Sequence, residues 1–358
     1  MVIDSEFWRG RRVFVTGHTG FKGAWLCHWL RNAGAVVAGY SLEPPSSPSL
    51  YEVTGVGDFI EQEDHADILD PYRLSASIAA FRPQAVFHLA AQSLVRESYA
   101  DPSGTTATNV VGTVNLLNAC RSVTSVKAIV VVTTDKCYEN REWRYAYREV
   151  DVLGGADMYS ASKAAAEIMT AAFRQSFLSD ELAPQVASAR AGNVVGGGDW
   201  AKDRLVPDCI RAFATGHPVT LRYPEAVRPW QHVLEPLAGY LRLAERLSGT
   251  DGAAYARGWN FGPDLSGEST VRDAATMLRQ IWGPEARIEI EDGADHPKES
   301  KLLRLDPSLA RTELGWRGRW DLEETLRRTA EWYRRFNDKE DPSTLTAMQI
   351  DAYMETGR

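Results

Sequence analysis

The sequence predicts a doubly wound parallel α/β sheet with a smaller, discontinuous α-rich second domain. Three observations carry that expectation. Short, near-continuous apolar runs alternate with helical patterns through the first half. A glycine-rich loop lies directly between the first such run and the first helix. The second half is less regular and mostly helical, and it is broken at Gly196-Gly197-Gly198.

Val13-Phe14-Val15 is β-branched and aromatic and ends in turn residues, which predicts a buried strand. A helix is expected over 21–32, with Gly34 as its stop. Val36-Val37-Ala38-Gly39-Tyr40 reads as the next strand, followed by the loop Pro44-Pro45-Ser46-Ser47-Pro48. The runs 85–90 and 128–132 are two further strands, with helices expected over 72–81 and 109–121. Strands buried on both faces and separated by helices describe a parallel sheet with right-handed crossovers. Helical patterns recur over 204–214, 236–247, 271–281 and 322–336. Segments after residue 194 are free to return to the sheet, so the domains need not be contiguous.

Length and composition narrow the function. A chain of 358 residues suits about two closely joined domains, and 44% hydrophobic with 25% charged residues excludes a largely disordered one. Lys plus Arg number 40 and Asp plus Glu 48, a formal charge of −8 that opposes binding to nucleic acid or anionic membranes. No apolar run approaches the roughly 20 residues of a membrane span. The first twelve residues mix acids and bases and have no signal-peptide core. Cys27, Cys120, Cys137 and Cys209 are scattered, so neither a metal site nor a disulfide framework is expected, and a reducing cytoplasm fits.

The first loop, Gly17-His18-Thr19-Gly20-Phe21-Lys22-Gly23, has the spacing GxxGxxG. Its glycines let the backbone turn tightly against a pyrophosphate, and the next helix points its N-terminus at the anion. His18 stands where a small residue would leave more room for phosphate, which predicts weakened cofactor affinity. The acid usual after the second strand is missing, since Ser41 follows Tyr40, so the loop itself does not choose between NAD and NADP. Asp67-Ile68, after the third strand position, is a candidate adenine contact. Tyr159 and Lys163 lie four apart in Tyr-Ser-Ala-Ser-Lys and share a helix face. A lysine ammonium beside a phenol favours phenolate, which makes Tyr159 a usable general base. The fifth strand delivers Thr133-Thr134-Asp135-Lys136-Cys137-Tyr138 to the carboxyl edge of the sheet, where ligands bind. His88 lies on an apolar strand and is assigned to the core, as are Trp8, Trp25 and Trp29.

These motifs resemble the extended short-chain dehydrogenase/reductase family, whose fold is Rossmann-like. The resemblance rests on Gly17-x-x-Gly20-x-x-Gly23, Asp67-Ile68, Leu89-Ala90-Ala91-Gln92, Thr108-Asn109-Val110, Tyr159-x-x-x-Lys163 and Arg190-Ala191-Gly192-Asn193, and spans essentially the whole chain. Asp135-Lys136, where dTDP-glucose dehydratases usually carry Asp-Glu, is similar to the CDP-glucose branch of its 4,6-dehydratases. So are Gly196-Gly197-Gly198-Asp199-Trp200 and Arg228-Pro229-Trp230-Gln231-His232-Val233. The resemblance implies NAD, held by residues 17–23, 67–68 and 89–91 and by Asn109, Tyr159 and Lys163. It implies CDP-glucose as substrate, with Gln92, Thr134, Asn193, Arg204, Leu205, Arg228 and Asn260 in contact. The arginines suit a diphosphate, because a planar guanidinium makes paired charge-assisted bonds.

The implied reaction is an internal redox dehydration, with Thr134, Asp135, Lys136, Tyr159 and Lys163 as the catalytic set. A 4-epimerase on the same scaffold would share Tyr159 and Lys163 but need no acid/base pair at Asp135-Lys136. A redox-sensing dinucleotide-binding protein would need none of the set. Residues 1–193, with return segments near 230–255, are expected to bind the dinucleotide, and residues 194–358 mainly the nucleotide sugar. The stretch 161–177 is alanine-rich and apolar on more than one face, including Ile168, Met169 and Phe173. Family members pair this helix in a four-helix contact, which implies a homodimer or a dimer of dimers.

Overall fold

The computed structural model describes residues 3–180, 183–263, 269–290 and 302–356. Its main sheet has strands β1 (Arg12–Thr16), β2 (Val36–Ser41), β3 (Gln62–His65), β4 (Ala85–His88), β5 (Ala128–Val132), β6 (Gln185–Ala191) and β7 (Gly258–Phe261), in the order β7-β6-β5-β4-β1-β2-β3. Every neighbouring pair is parallel. The order reverses between β1 and β4, and a crevice opens there at the carboxyl ends of the strands. This is the doubly wound sheet the apolar runs predicted.

Alternation along the central strands divides the core in two. Val13, Val15, Phe87, Val130 and Ala187 face one side, while Phe14, Val86, Ile129, Val131 and Val186 face the other. Helix α1 (Phe21–Asn32) lies on the first face with Trp25 and Trp29 buried, and Trp8 is buried there too. Helices α2 (Pro71–Phe81), α3 (Gly112–Arg121) and α4 (Met158–Phe177) cover the second. The helix expected over 109–121 is the end of a longer helical stretch that starts at Pro102–Thr106 and passes through a π-helical turn at Ala107–Val111.

The second region holds helices α5 (Leu205–Ala214), α6 (Leu234–Leu247), α7 (Val271–Trp282), α8 (Leu322–Asn337) and α9 (Pro342–Glu355). Short strands accompany them, such as Pro218–Leu221 beside Arg287–Ile290. The return to the first domain is larger than residues 230–255. It takes in α6 and also β7, which pairs with β6, while Tyr353 of α9 meets Trp29 of α1 edge-on at 5.6 Å. An apolar core continuous across both regions is the reason: residues from α1, α6, α8 and α9 all bury into it.

His88 is a core residue, as expected, and its hydrogen bonds explain how the core holds it. Thr113 donates its hydroxyl to Asn109 O, so it accepts from His88 Nε2, and His88 Nδ1 accepts from Thr16. Burial pushes His88 down to about 3, His232 to about 3 and His28 to about 4. All three stay neutral in the folded protein, whereas the unfolded chain takes up their protons below about pH 6.5. Each therefore removes about 1.4 kcal/mol of stability per pH unit as pH falls below that value. Glu235, raised to about 7 by burial, acts in the opposite direction between its unfolded and folded values. With three such histidines, stability from urea unfolding should fall as pH is lowered from 6 to 5.

Candidate active site

Thr16 ends β1, and Gly17 follows with φ +75°. A Cβ on Gly17 would sit 2.6 Å from Ala90 N, and one on Gly23 only 2.0 Å from Gly17 O. No other residue fits either place, so the loop is closed onto the segment 89–91 and onto α1. Gly20 is the N-cap of α1 and carries no side-chain cap, which leaves the first helical N–H groups facing the crevice. Thr19 ties the loop to the end of β2 through Ser41 Oγ (2.8 Å) and Leu42 O (2.9 Å). Together these features form a cradle that suits the pyrophosphate of NAD.

Thr134 follows β5, and its hydroxyl donates to Asp135 Oδ1 at 2.9 Å. Asp135 is 2% exposed and its Oδ2 has no partner. Burial raises its pKa, outweighing Lys136, the Thr134 hydroxyl, Arg228 and Lys22, which lower it. The carboxyl is thus biased towards the protonated form. A Cβ on Gly192 would lie 3.1 Å from Oδ2 and 2.5 Å from Pro229, so glycine there lets strand β6 and the 228–232 segment close around the acid.

Tyr159 and Lys163 stand on the first turns of α4, which Asp157 caps through Ser160 N at 2.9 Å. Both side chains are buried and belong to the same face as predicted. Burial pushes the phenol up to about 12, only partly opposed by the neighbouring Thr134 side chain, and Lys163 donates to Val132 O at 3.3 Å. Burial also lowers Lys163 to about 8 and Lys22 to about 7, the latter helped by Arg204 and Lys163 nearby. A net-acidic protein therefore lines this crevice with Lys22, Lys136, Lys163, Arg204 and Arg228, a field suited to a diphosphate.

Other predicted contacts hold the site from outside. Asn109 bonds Gln92 N, Gln92 O and Ser162 Oγ at 2.9 Å each, so its amide fixes the 89–92 segment. The Gln92 side chain is committed to Leu94 and Thr105. Asn260 is fully buried and bonds Tyr138 Oη, Tyr147 O and Asp306 O. His18 packs its ring over Gly39 of β2 and bonds Glu63 at 2.6 Å, so the ring lies away from the helix N-terminus it was expected to crowd. Asp67 caps Leu69 N, while Ile68 is buried against Gly112. Arg204 pairs with Asp199 at 3.0 Å next to Leu205, and Asn193 O accepts from Gln231.

His18, Glu63 and His65 are the one described group of three able to gather around a metal. The short His18–Glu63 contact is a hydrogen bond that leaves no room for an ion with ligand bonds of about 2.1 Å. Sequence reasoning did not single out Glu167, which with Thr133 and Arg190 forms a buried cluster beneath Thr134. Glu167 lies four residues after Lys163, and an acid one turn below a buried lysine was the available signal.

A doubly wound sheet with a glycine cradle, a Tyr/Lys helix and a polar strand end defines the class. The chain belongs to the GDP-mannose 4,6 dehydratase family, whose profile matches residues 14–329. It is 49% identical over 357 residues to the curated CDP-glucose 4,6-dehydratase of Salmonella typhimurium, with 99% of each chain covered. A dTDP-glucose 4,6-dehydratase of Streptomyces griseus is 30% identical over 339 residues, covering 92% of this chain and 96% of the relative. Among solved structures, the dTDP-glucose 4,6-dehydratase of Streptomyces venezuelae with NAD and TYD bound superposes with a TM-score of 0.75 at 25% identity. That match covers 93% of this chain and 99% of the other.

Proposed function

We propose that this protein converts CDP-D-glucose to CDP-4-keto-6-deoxy-D-glucose and water, using bound NAD. The observation that carries the reading is Asp135, a buried carboxyl with a free oxygen and a raised pKa beside Thr134. Elimination of a hydroxyl needs such an acid and epimerisation at carbon 4 does not. The Asp135-Lys136 pair and the 49% identity to a CDP-glucose enzyme support the choice of nucleotide.

NAD would accept a hydride from carbon 4 of the sugar and return it at carbon 6. The backbone of residues 17–23, the 89–91 segment and Lys163 would hold it. Tyr159 removes the carbon-4 hydroxyl proton, and Thr134 hydrogen-bonds the same oxygen. The resulting ketone acidifies the proton on carbon 5, and Lys136, next to Asp135 in the chain, is the residue we assign to accept it. Asp135 gives its proton to the departing carbon-6 hydroxyl, so water leaves across carbons 5 and 6. As carbon 6 is reduced, Lys136 returns its proton to carbon 5, and the proton held by Tyr159 passes through solvent to restore Asp135. Arg204 and Arg228 neutralise the diphosphate. Incubation with CDP-, dTDP-, UDP- and GDP-glucose, followed by mass analysis, should give loss of one water with CDP-glucose foremost. A wide preference for dTDP-glucose would overturn the substrate, and an isomer of unchanged mass would mark an epimerase.

We further propose a homodimer built on α4. Ile168, Met169 and Ala172 lie on its outer face, with Ile168 55% and Met169 38% exposed, while Phe173 turns inward against Phe177. An apolar outer stripe on an otherwise packed helix supports a second copy as its cover. Sedimentation should show a dimer or larger, and Ile168→Asp with Met169→Asp should shift it towards monomer.

A further inference from the structure

The cluster beneath Thr134 joins the two halves of the catalytic set. Glu167 is 3% exposed and pairs with Arg190, itself 5% exposed, at 2.7 Å. The same carboxylate accepts from the Thr133 hydroxyl, at the end of β5, and from Ser188 Oγ of β6 at 2.6 Å. Arg190 goes on to donate to Tyr138 Oη (2.7 Å) and to Glu149 O (3.2 Å) in the segment that leaves the strand end. Tyr138 in turn donates to Asn260 of β7. One carboxylate on α4 is thus the hub for β5, β6 and the loop that carries Asp135.

We propose that Glu167 is a positioning residue for the oxidation step. Its bond to Thr133 fixes the separation between α4, which presents Tyr159 and Lys163, and the β5 end, which presents Thr134 and Asp135. Burying an ion pair is a poor device for stability alone, since desolvation consumes most of the attraction. It is a good device for register, because each oxygen of Glu167 is bound to a different strand: Oε1 to β5, and Oε2 to β6 through Ser188 and Arg190. Thr134 adjoins Thr133 in the chain, and its hydroxyl must meet the same substrate oxygen as Tyr159. A small slip of helix against strand therefore separates two groups that have to act together. The inference rests on the roles proposed above for Thr134 and Tyr159.

Two variants separate positioning from structure, because each removes one hydrogen bond to Glu167 and leaves the ion pair intact. Thr133→Val cuts the link to β5, whereas Ser188→Ala cuts a link to β6, which presents no group to carbon 4. Both should bind NAD as the parent does and lose a few degrees of melting temperature. In single turnovers followed by absorbance of enzyme-bound NADH, Thr133→Val should form NADH about tenfold more slowly with KM unchanged, and Ser188→Ala within about twofold of the parent. Thr133→Ser, which restores the hydroxyl, should recover the rate. Equal rates in Thr133→Val and Ser188→Ala, whether both slowed or both normal, would overturn the positioning role. The sugar nucleotide used is whichever of the CDP-, dTDP-, UDP- and GDP-glucose set the parent oxidises. A parent that forms bound NADH with none of them overturns both the proposed reaction and this role.

Discussion

Replacing Tyr159 with phenylalanine should lower turnover by about a thousandfold while leaving the fold and NAD binding in place. The substitution removes one oxygen from a buried ring and no packing. In the proposed reaction the phenol takes the proton from the carbon-4 hydroxyl, so no hydride can leave until that proton has a destination. Enzyme-bound NADH should scarcely form in a single turnover, and no keto product should appear. The pH dependence carries the same signature. The phenol stands at about 12 in the unliganded protein, because burial disfavours its anion. A general base must lose its proton before it works, so the rate of NADH formation should climb as pH rises above 7 in the parent and stay flat in the phenylalanine variant. Substantial bound NADH in Tyr159→Phe would assign the proton transfer to another group.

Asp135→Asn should produce the opposite accumulation. The amide keeps the size of the side chain but has no carboxyl proton to give, so the carbon-6 hydroxyl loses its acid. Help of this kind is worth about 10²–10⁴ in rate, enough to make elimination limiting. Oxidation at carbon 4 should proceed, and NADH should build up on the enzyme while overall turnover falls by that factor. Lys136 would lower the pKa of a neighbouring acid, a conflict evident in the sequence alone. Burial outweighs it here, with Asp135 Oδ2 left unpartnered behind Gly192. An Asp135→Asn enzyme that binds CDP-glucose yet shows no NADH absorbance would place Asp135 in the first step.

The parts of this molecule legible in its sequence are those fixed by local chemistry. The strands at 13–15, 36–40, 85–88 and 128–132 are buried on both faces and so are written as nearly unbroken apolar runs. The glycine loop is legible because a Cβ at Gly17 or Gly23 has no space. The edge strand β3, Gln-Glu-Asp-His, carried no apolar signal, since only one neighbour covers it. Strand β6 places Ser188 and Arg190 in a buried polar cluster, which disguises an interior strand as a mixed one. Asn109 and Gln92 lie in family motifs, yet their amides bind the protein itself. A motif marks which residues are needed and not which atoms they touch. The state of Tyr159 was also beyond reach, because it depends on how deeply the ring is buried.

Helix α9 has a consequence for the order in which the enzyme is made. Tyr353 packs against Trp29 and against Trp320, and its hydroxyl donates to buried Glu235. The back of α1, whose front forms the phosphate cradle, is therefore closed by residues synthesised more than 300 positions later. A nascent chain that has not yet released residues 342–355 from the ribosome leaves Trp29 uncovered and α1 unbraced. The helix that carries the phosphate cradle therefore gains its full packing only after the two regions have met.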